Sequence, residues 1–233
     1  MAHLTQPNPN FGLNFQTFFS GWLSCQQKFI DQLISAIAPE NIHNNEQHQN
    51  LIDQVLSHYQ QYYEEKSLAA REDVFLFISP PWFSSYEITF LWLGGFRPSL
   101  LFKLLNSSVK DLTEEQEHEM EQLKGETRRE ERELSETMAR LQERIAAPSL
   151  FNLARNFVYL VDGEVSDADA ALRELQAGML LVLEAADGLR GTAMRKIMQN
   201  LSPIQRVKLL TAAGQFHLRV RRLGVERDQQ TVQ

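Results

Sequence analysis

The sequence is poor in the residues that staple or interrupt a fold. Cys25 is its one cysteine, so no disulfide can form within the chain and no Cys/His set reaches zinc-site spacing. Cys25 reads as a small helical packing residue in a reducing compartment. Only eight prolines and eleven glycines punctuate 233 residues. The start, MAHLTQPNPN, has neither a basic region nor an apolar run, so no secretory signal is expected. The longest apolar stretches, near residues 90–93 and 179–183, fall far short of the roughly 20 residues that span a bilayer. The expected location is therefore nucleus and cytoplasm. Alternating Val/Ile/Thr segments and Asn-Gly hairpin signals are missing, which argues against a sheet.

Catalytic signatures are missing too. There is no Gly-x-Ser-x-Gly, His-Glu-x-x-His, dinucleotide fingerprint or phosphate loop; Gly94 and Gly95 are not followed by Gly-Lys-Ser/Thr. The six histidines are scattered, and none pairs with another at the i, i+4 spacing of a helical metal clamp. The acidic run at residues 162–169 lacks the ligand order of an EF-hand. Neither an enzyme nor a metal site is expected.

What is present is helical periodicity. The hydrophobic content of 43% suffices for one large domain, and the expected fold is all-α: a single multi-helix bundle over residues 11–224, between a flexible N-terminus (1–10) and a flexible polar tail (225–233). Residues 11–38 carry an aromatic face (Phe11, Phe15, Phe18, Phe19, Trp22, Phe29). Residues 45–72 repeat Leu51, Val55, Tyr59 and Tyr62, and Pro80-Pro81 then breaks the chain. A short helix over 85–93 precedes a glycine turn, and Pro98 opens a helix over 99–105. Eighteen of the 34 residues at 111–144 are charged, yet Leu134, Met138, Leu141 and Ile145 form a seam. This predicts one long charged helix, lying on the surface or forming a coiled-coil contact with a second copy; the seam is short for clean heptads, which favours the former. A helix over 150–160, an acidic loop ending at Ser166, an Ala/Leu-rich helix over 167–189 and a last helix opened by Ser202-Pro203 complete the reading.

Charge is unevenly spread. The net charge is −7, but residues 190–227 hold nine basic residues and one acid, a net +8 that leaves −15 on the rest. Such asymmetry suits an acidic partner surface. The last helix presents Arg219, Arg221 and Arg222 as candidates for partner contact. No zinc finger, basic zipper or aromatic RNA platform accompanies them, so direct nucleic-acid binding is not expected, although a cofactor touching DNA through this end is an alternative.

Four ordered motifs carry a resemblance. Residues 92–99 (WLGGFRPS), followed by LLFKLL, closely resemble the signature of the plant delay-of-germination (DOG) domain. The FFSGWL at 18–23, the ADGLR at 186–190 and the LSPIQ at 201–205 leading to LRVRRL are similar to its opening, middle and closing motifs. The resemblance implies that Trp92, Gly94, Gly95, Phe96, Arg97 and Pro98 are structural signature residues. It implies a stand-alone DOG-type regulator, since about ten residues precede the first helix and leave no room for the basic zipper of TGA factors. Members act in seed dormancy and abscisic acid signalling, or in pollen aperture formation, by binding partners such as protein phosphatases or transcription-related proteins. The phosphatase contact implies Phe18, Phe19 and Trp22, although the family's two acids beside the tryptophan are missing here. A family haem site implies His217, but Arg221 stands one turn on where a second histidine would be expected. Fatty-acid binding is a further family property. A homodimer is a further expectation.

Overall fold

In the first helix, Phe15, Phe19, Trp22, Gln26, Ile30, Leu33 and Ala36 recur at steps of three and four, and all are buried. That spacing puts seven side chains on one face and drives the helix into the core. The structure is a computed structural model in which residues 9–145 and 162–231 are described. They form α1 (Pro9–Ala36), α2 (Asn45–Glu72), α3 (Phe75–Ile78), α4 (Ser85–Thr89), α5 (Leu100–Ser108), α6 (Glu114–Ile145), α7 (Asp162–Gln199) and α8 (Pro203–Thr231). The protein is all-α, and the one β feature among the described residues is an isolated bridge between Trp92 and Gly95.

α1, α2 and α8 pack together, and α4 and α5 lean on α8, while α6 and α7 form a long antiparallel pair. The antiparallel register is fixed by Leu141 over Gly178 and by Lys196 with Glu126 at 3.1 Å. One core gathers Leu33, Ile52, Leu105, Ile197 and Leu209. A second, aromatic core gathers Phe15, Phe19, Trp22, Phe77, Trp82 and Leu183. The charged helix therefore has a partner within its own chain: Met120 and Met138 on its seam are buried against these cores.

Two capping boxes interlock. Thr113 and Gln116 cap α6, and Ser202 and Gln205 cap α8. Gln116 Nε2 also donates to the Asn200 carbonyl at 2.6 Å, and Gln205 Nε2 donates to the Asp111 carbonyl at 2.9 Å. Each glutamine thus satisfies its own helix start and a carbonyl of the neighbouring connection.

Several boundaries differ from those expected. The helix over 85–93 stops at Thr89, because residues 92–95 close a tight turn. The acidic run at 162–169 is helical from Asp162, since acids suit the first turn of a helix. The tail expected to fray from 225 stays helical to Thr231: Asp228 accepts from the Ser85 N–H at 2.9 Å, and Arg227 lies 5.4 Å from the Tyr86 ring centre. The expected helix over 150–160 and the N-terminal segment 1–8 lie outside the described residues.

Candidate functional site

The signature residues build a strained turn pinned by buried charge. Trp92 N donates to the Gly95 carbonyl at 2.7 Å, and Gly95 N returns to Trp92 O at 3.2 Å. The two residues between have positive φ, 45° at Leu93 and 74° at Gly94. Glycine enters that region freely, but leucine does so at a cost of about 1–2 kcal/mol. What holds the turn comes from α2 and α7. Lys66 Nζ donates to Gly94 O at 2.8 Å. Arg190 donates to Phe96 O at 2.8 Å, to Leu93 O at 3.0 Å and to Trp92 O. Asp187 bridges the two cations, 2.7 Å from Lys66 and 2.5 Å from Arg190. The Trp92 ring sits 5.4 Å from the Arg190 guanidinium and 5.6 Å from that of Arg97, and its Nε1 donates to Ser135 on α6.

The Lys66 side chain is 1% exposed. Burial pulls its amine down to about 8, Asp187 opposes that and Arg190 adds to it. Beside it, burial pushes the Tyr62 and Tyr63 phenols far up, and Tyr59 up to about 12. These groups line a cavity of about 750 Å³ enclosed by α2, the signature turn, α5, α7 and α8. Its walls are mainly apolar, with Tyr59, Phe96, Leu101 and Met194 among them, and they carry five cationic residues (Lys66, Arg97, Arg190, Arg195, Arg206) against two acids (Glu87, Asp187). Gly188 and Gly191 sit one turn apart on α7 at the cavity and have open space where a Cβ would be. Their missing side chains keep the mouth wide.

A second buried cluster stands at the other wall. Glu87 is 1% exposed, takes the Ser84 N–H and hydroxyl at 2.8 Å each, and pairs with Arg221 at 3.0 Å. Burial alone would raise such a carboxyl. His217, the Ser84 donors and Arg221 outweigh it and hold Glu87 below the usual range. His217 Nε2 lies 3.7 Å from Glu87 Oε1, and the ring is wedged 5.8 Å from Trp22 and 5.7 Å from Phe96. In this trio the carboxylate sits between serine and histidine, so the histidine does not face the serine hydroxyl as it does in a Ser-His-Asp triad.

The candidate residues thus separate. Gly94, Gly95, Phe96, Arg97, Pro98 and His217 all line the cavity, and Trp92 packs behind it with Ala186 and Leu189. Phe19 and Trp22, expected as partner contacts, are buried at 1% and 4%: Trp22 stacks on His58 at 4.6 Å and donates to the His58 carbonyl. Both therefore lie in the aromatic core rather than on an open face, and the cavity they also line is the side from which they can be reached. Phe18 is half-buried, Arg221 is spent on Glu87, and Arg219 and Arg222 point to solvent. Among the cavity residues His217 is the one histidine, with its Nε2 turned to Glu87. The residues therefore do not fit a haem held between two imidazoles. Lys66 and Glu87 escaped sequence reasoning. The signal for Lys66 was its place on the α2 stripe between Tyr62 and Ala70; that for Glu87 was a Ser-x-x-Glu capping box.

The family described as DOG1: Seed dormancy control matches residues 30–107, which include Lys66, Glu87 and the whole signature turn. The chain is 41% identical over 231 residues to Protein RESPONSE TO ABA AND SALT 1 of Arabidopsis thaliana, covering 96% of this chain and 99% of that protein. It is 41% identical over 216 residues to Protein ZW2 of the same plant, 91% of this chain and 96% of that one. Transcription factor TGA2.3 of Oryza sativa subsp. japonica is 31% identical over 220 residues, 92% of this chain but 65% of that factor. With relatives matched along nearly their whole length, the chain belongs to the DOG1 seed dormancy control family.

Proposed function

We propose that the chain is a non-enzymatic regulatory protein that binds other proteins in a pathway answering abscisic acid and salt, of the seed-dormancy type, in nucleus and cytoplasm. The observation that carries this reading is the 41% identity spanning 99% of Protein RESPONSE TO ABA AND SALT 1. The exposed Arg219 and Arg222 supply a basic face, and an acidic partner surface complements it. Protein phosphatases of the abscisic acid pathway and transcription-related proteins are the partners to test. In titrations of the purified chain against them, binding is expected to weaken about tenfold when Arg219 and Arg222 are both changed to Glu. Binding to none of them, or binding indifferent to the charge reversal, overturns the reading.

The cavity favours a second reading, in which an apolar ligand of the fatty-acid class sets the regulator's state. Its volume of about 750 Å³ lies within the range of small-molecule sites. A dansyl-labelled fatty acid is expected to brighten on binding, and Gly188→Leu, which fills the mouth, is expected to abolish the signal. A signal that persists in Gly188→Leu places the probe elsewhere and removes this reading.

A further inference from the structure

We propose that Lys66 is a covalent capture site, whose amine condenses with an uncharged apolar aldehyde in the cavity to give a protonated imine with Asp187 as its counter-ion. The proposal rests on the cavity reading above and adds a chemistry to it. Lys66 is reached from the cavity alone, since its side chain is otherwise sealed in the core between the Tyr63 and Phe77 rings, each 5.9 Å from Nζ. Two of its protons are engaged, by Gly94 O and by Asp187 at 2.8 Å each; the third has no partner among the described residues.

An apolar wall and a neighbouring cation are the two conditions that activate a lysine as a nucleophile. Both are met here, by Tyr62, Tyr63 and Phe77 on one side and by Arg190, which shares Asp187, on the other. Asp187 also supplies the proton relay. Its carboxylate takes a proton from the ammonium, and the free amine adds to the aldehyde carbon, its N–H proton passing to the carbonyl oxygen to give the carbinolamine. The Asp187 carboxyl then returns its proton to that hydroxyl, which leaves as water. Ammonium and aldehyde have become protonated imine and water, with the charge unchanged. The ion pair with Asp187 therefore survives, which stabilises the product in this buried setting. An uncharged aldehyde fits because the charge at Lys66 is already matched and the surrounding wall is apolar.

The product has a consequence for the turn. An ammonium carries three N–H bonds and a protonated imine carries one. With that one directed at Asp187, Gly94 O loses its donor, and one of the two clamps on the signature turn is released.

The test uses the intact chain with cinnamaldehyde and sodium cyanoborohydride at pH 7.5, followed by peptide mass mapping. The six other lysines, Lys28, Lys103, Lys110, Lys124, Lys196 and Lys208, are exposed or half-buried. Lys66 is expected to carry the reduced adduct in at least about tenfold excess over any of them, because its amine is neutral far more often at this pH. The initial rate is expected to rise through about pH 8. Gly188→Leu is expected to suppress labelling without altering the circular dichroism spectrum, and Lys66→Met to abolish it. Adducts spread over the surface lysines with Lys66 unmodified, or Lys66 labelling indifferent to Gly188→Leu, overturn the proposal. The dansyl-labelled fatty acid separates the two ideas. If it binds while Lys66 stays unmodified, the imine fails and the cavity reading stands; if it also fails to bind, both fall.

Discussion

Changing Asp187 to Asn tests whether buried charge holds the signature turn. The carboxylate sits between a lysine side chain 1% exposed and an arginine 7% exposed, and is itself 17% exposed. Asparagine keeps the shape and one acceptor but removes the charge, leaving two cations close together with no counter-ion. Breaking a buried pair by removing one partner costs about 3–5 kcal/mol. Against a domain stability of about 5–15 kcal/mol, the variant is folded but marginal. The sign of its pH dependence is distinctive. Burial already draws the Lys66 amine down to about 8, so above that pH the unfolded chain binds more protons than the folded one, and stability rises with pH. Losing Asp187 draws the amine lower still and extends that rise to lower pH. The deficit of the variant is therefore largest near pH 6.5 and shrinks toward pH 9. Urea unfolding followed by tryptophan fluorescence, with Trp92 on the turn itself, measures it across that range. A loss below about 1 kcal/mol, or one that does not change with pH, refutes the argument, since a simple packing defect has no reason to titrate.

Three further perturbations probe other parts of the molecule. Gly94→Ala drives a Cβ into Leu183 Cδ1 at a φ of 74°; left-handed strain and overpacking together should cost about 2–5 kcal/mol in urea unfolding, and a loss under about 1 kcal/mol would show that the turn yields freely. His58 is drawn down to about 4 by burial, so between pH 7 and 5 the unfolded chain gains a proton that the folded chain refuses, removing about 2 kcal/mol of stability. His58→Phe should flatten that acid limb in a pH series of unfolding midpoints; an unchanged slope assigns the effect to other groups. Gly125 lies inside α6 with nothing within 4 Å of where a methyl would be added, so Gly125→Ala should add about 0.5–1 kcal/mol of stability by helix propensity, read as a higher Tm.

Much of the helical frame was legible in the sequence because it rests on local physics. Pro80-Pro81 separates α3 from α4, and the Thr113/Gln116 and Ser202/Gln205 boxes open α6 and α8 where periodicity begins. What the sequence concealed was set by distant partners. Phe19 and Trp22 look the same as surface anchors or as core, and only their contacts with Tyr62, His58 and Phe83 decide it. Lys66 and Asp187 lie 121 positions apart, so neither announces the other. The tail held at Asp228 by the Ser85 amide was concealed for the same reason.

The signature gains a physical reading from these partners. A turn with positive φ at Leu93 and Gly94 does not persist on its own; it needs the Lys66 and Arg190 donors, and those cations need Asp187. Turn, α2 and α7 are thus one mutually dependent unit, and the turn residues Gly94 to Pro98 also form one wall of the cavity. Any group that competes for Lys66 or Arg190 from inside the cavity competes with the carbonyls that hold the turn. On the proposed cavity reading, occupancy is coupled to the conformation of residues 92–98, whose Arg97 faces solvent. Coupling requires a ligand to differ in affinity for the two states of the turn, and a ligand that removes the Gly94 donor meets that requirement. The same residues that make the family recognisable in sequence are then the ones through which a bound molecule could alter what the protein shows to a partner.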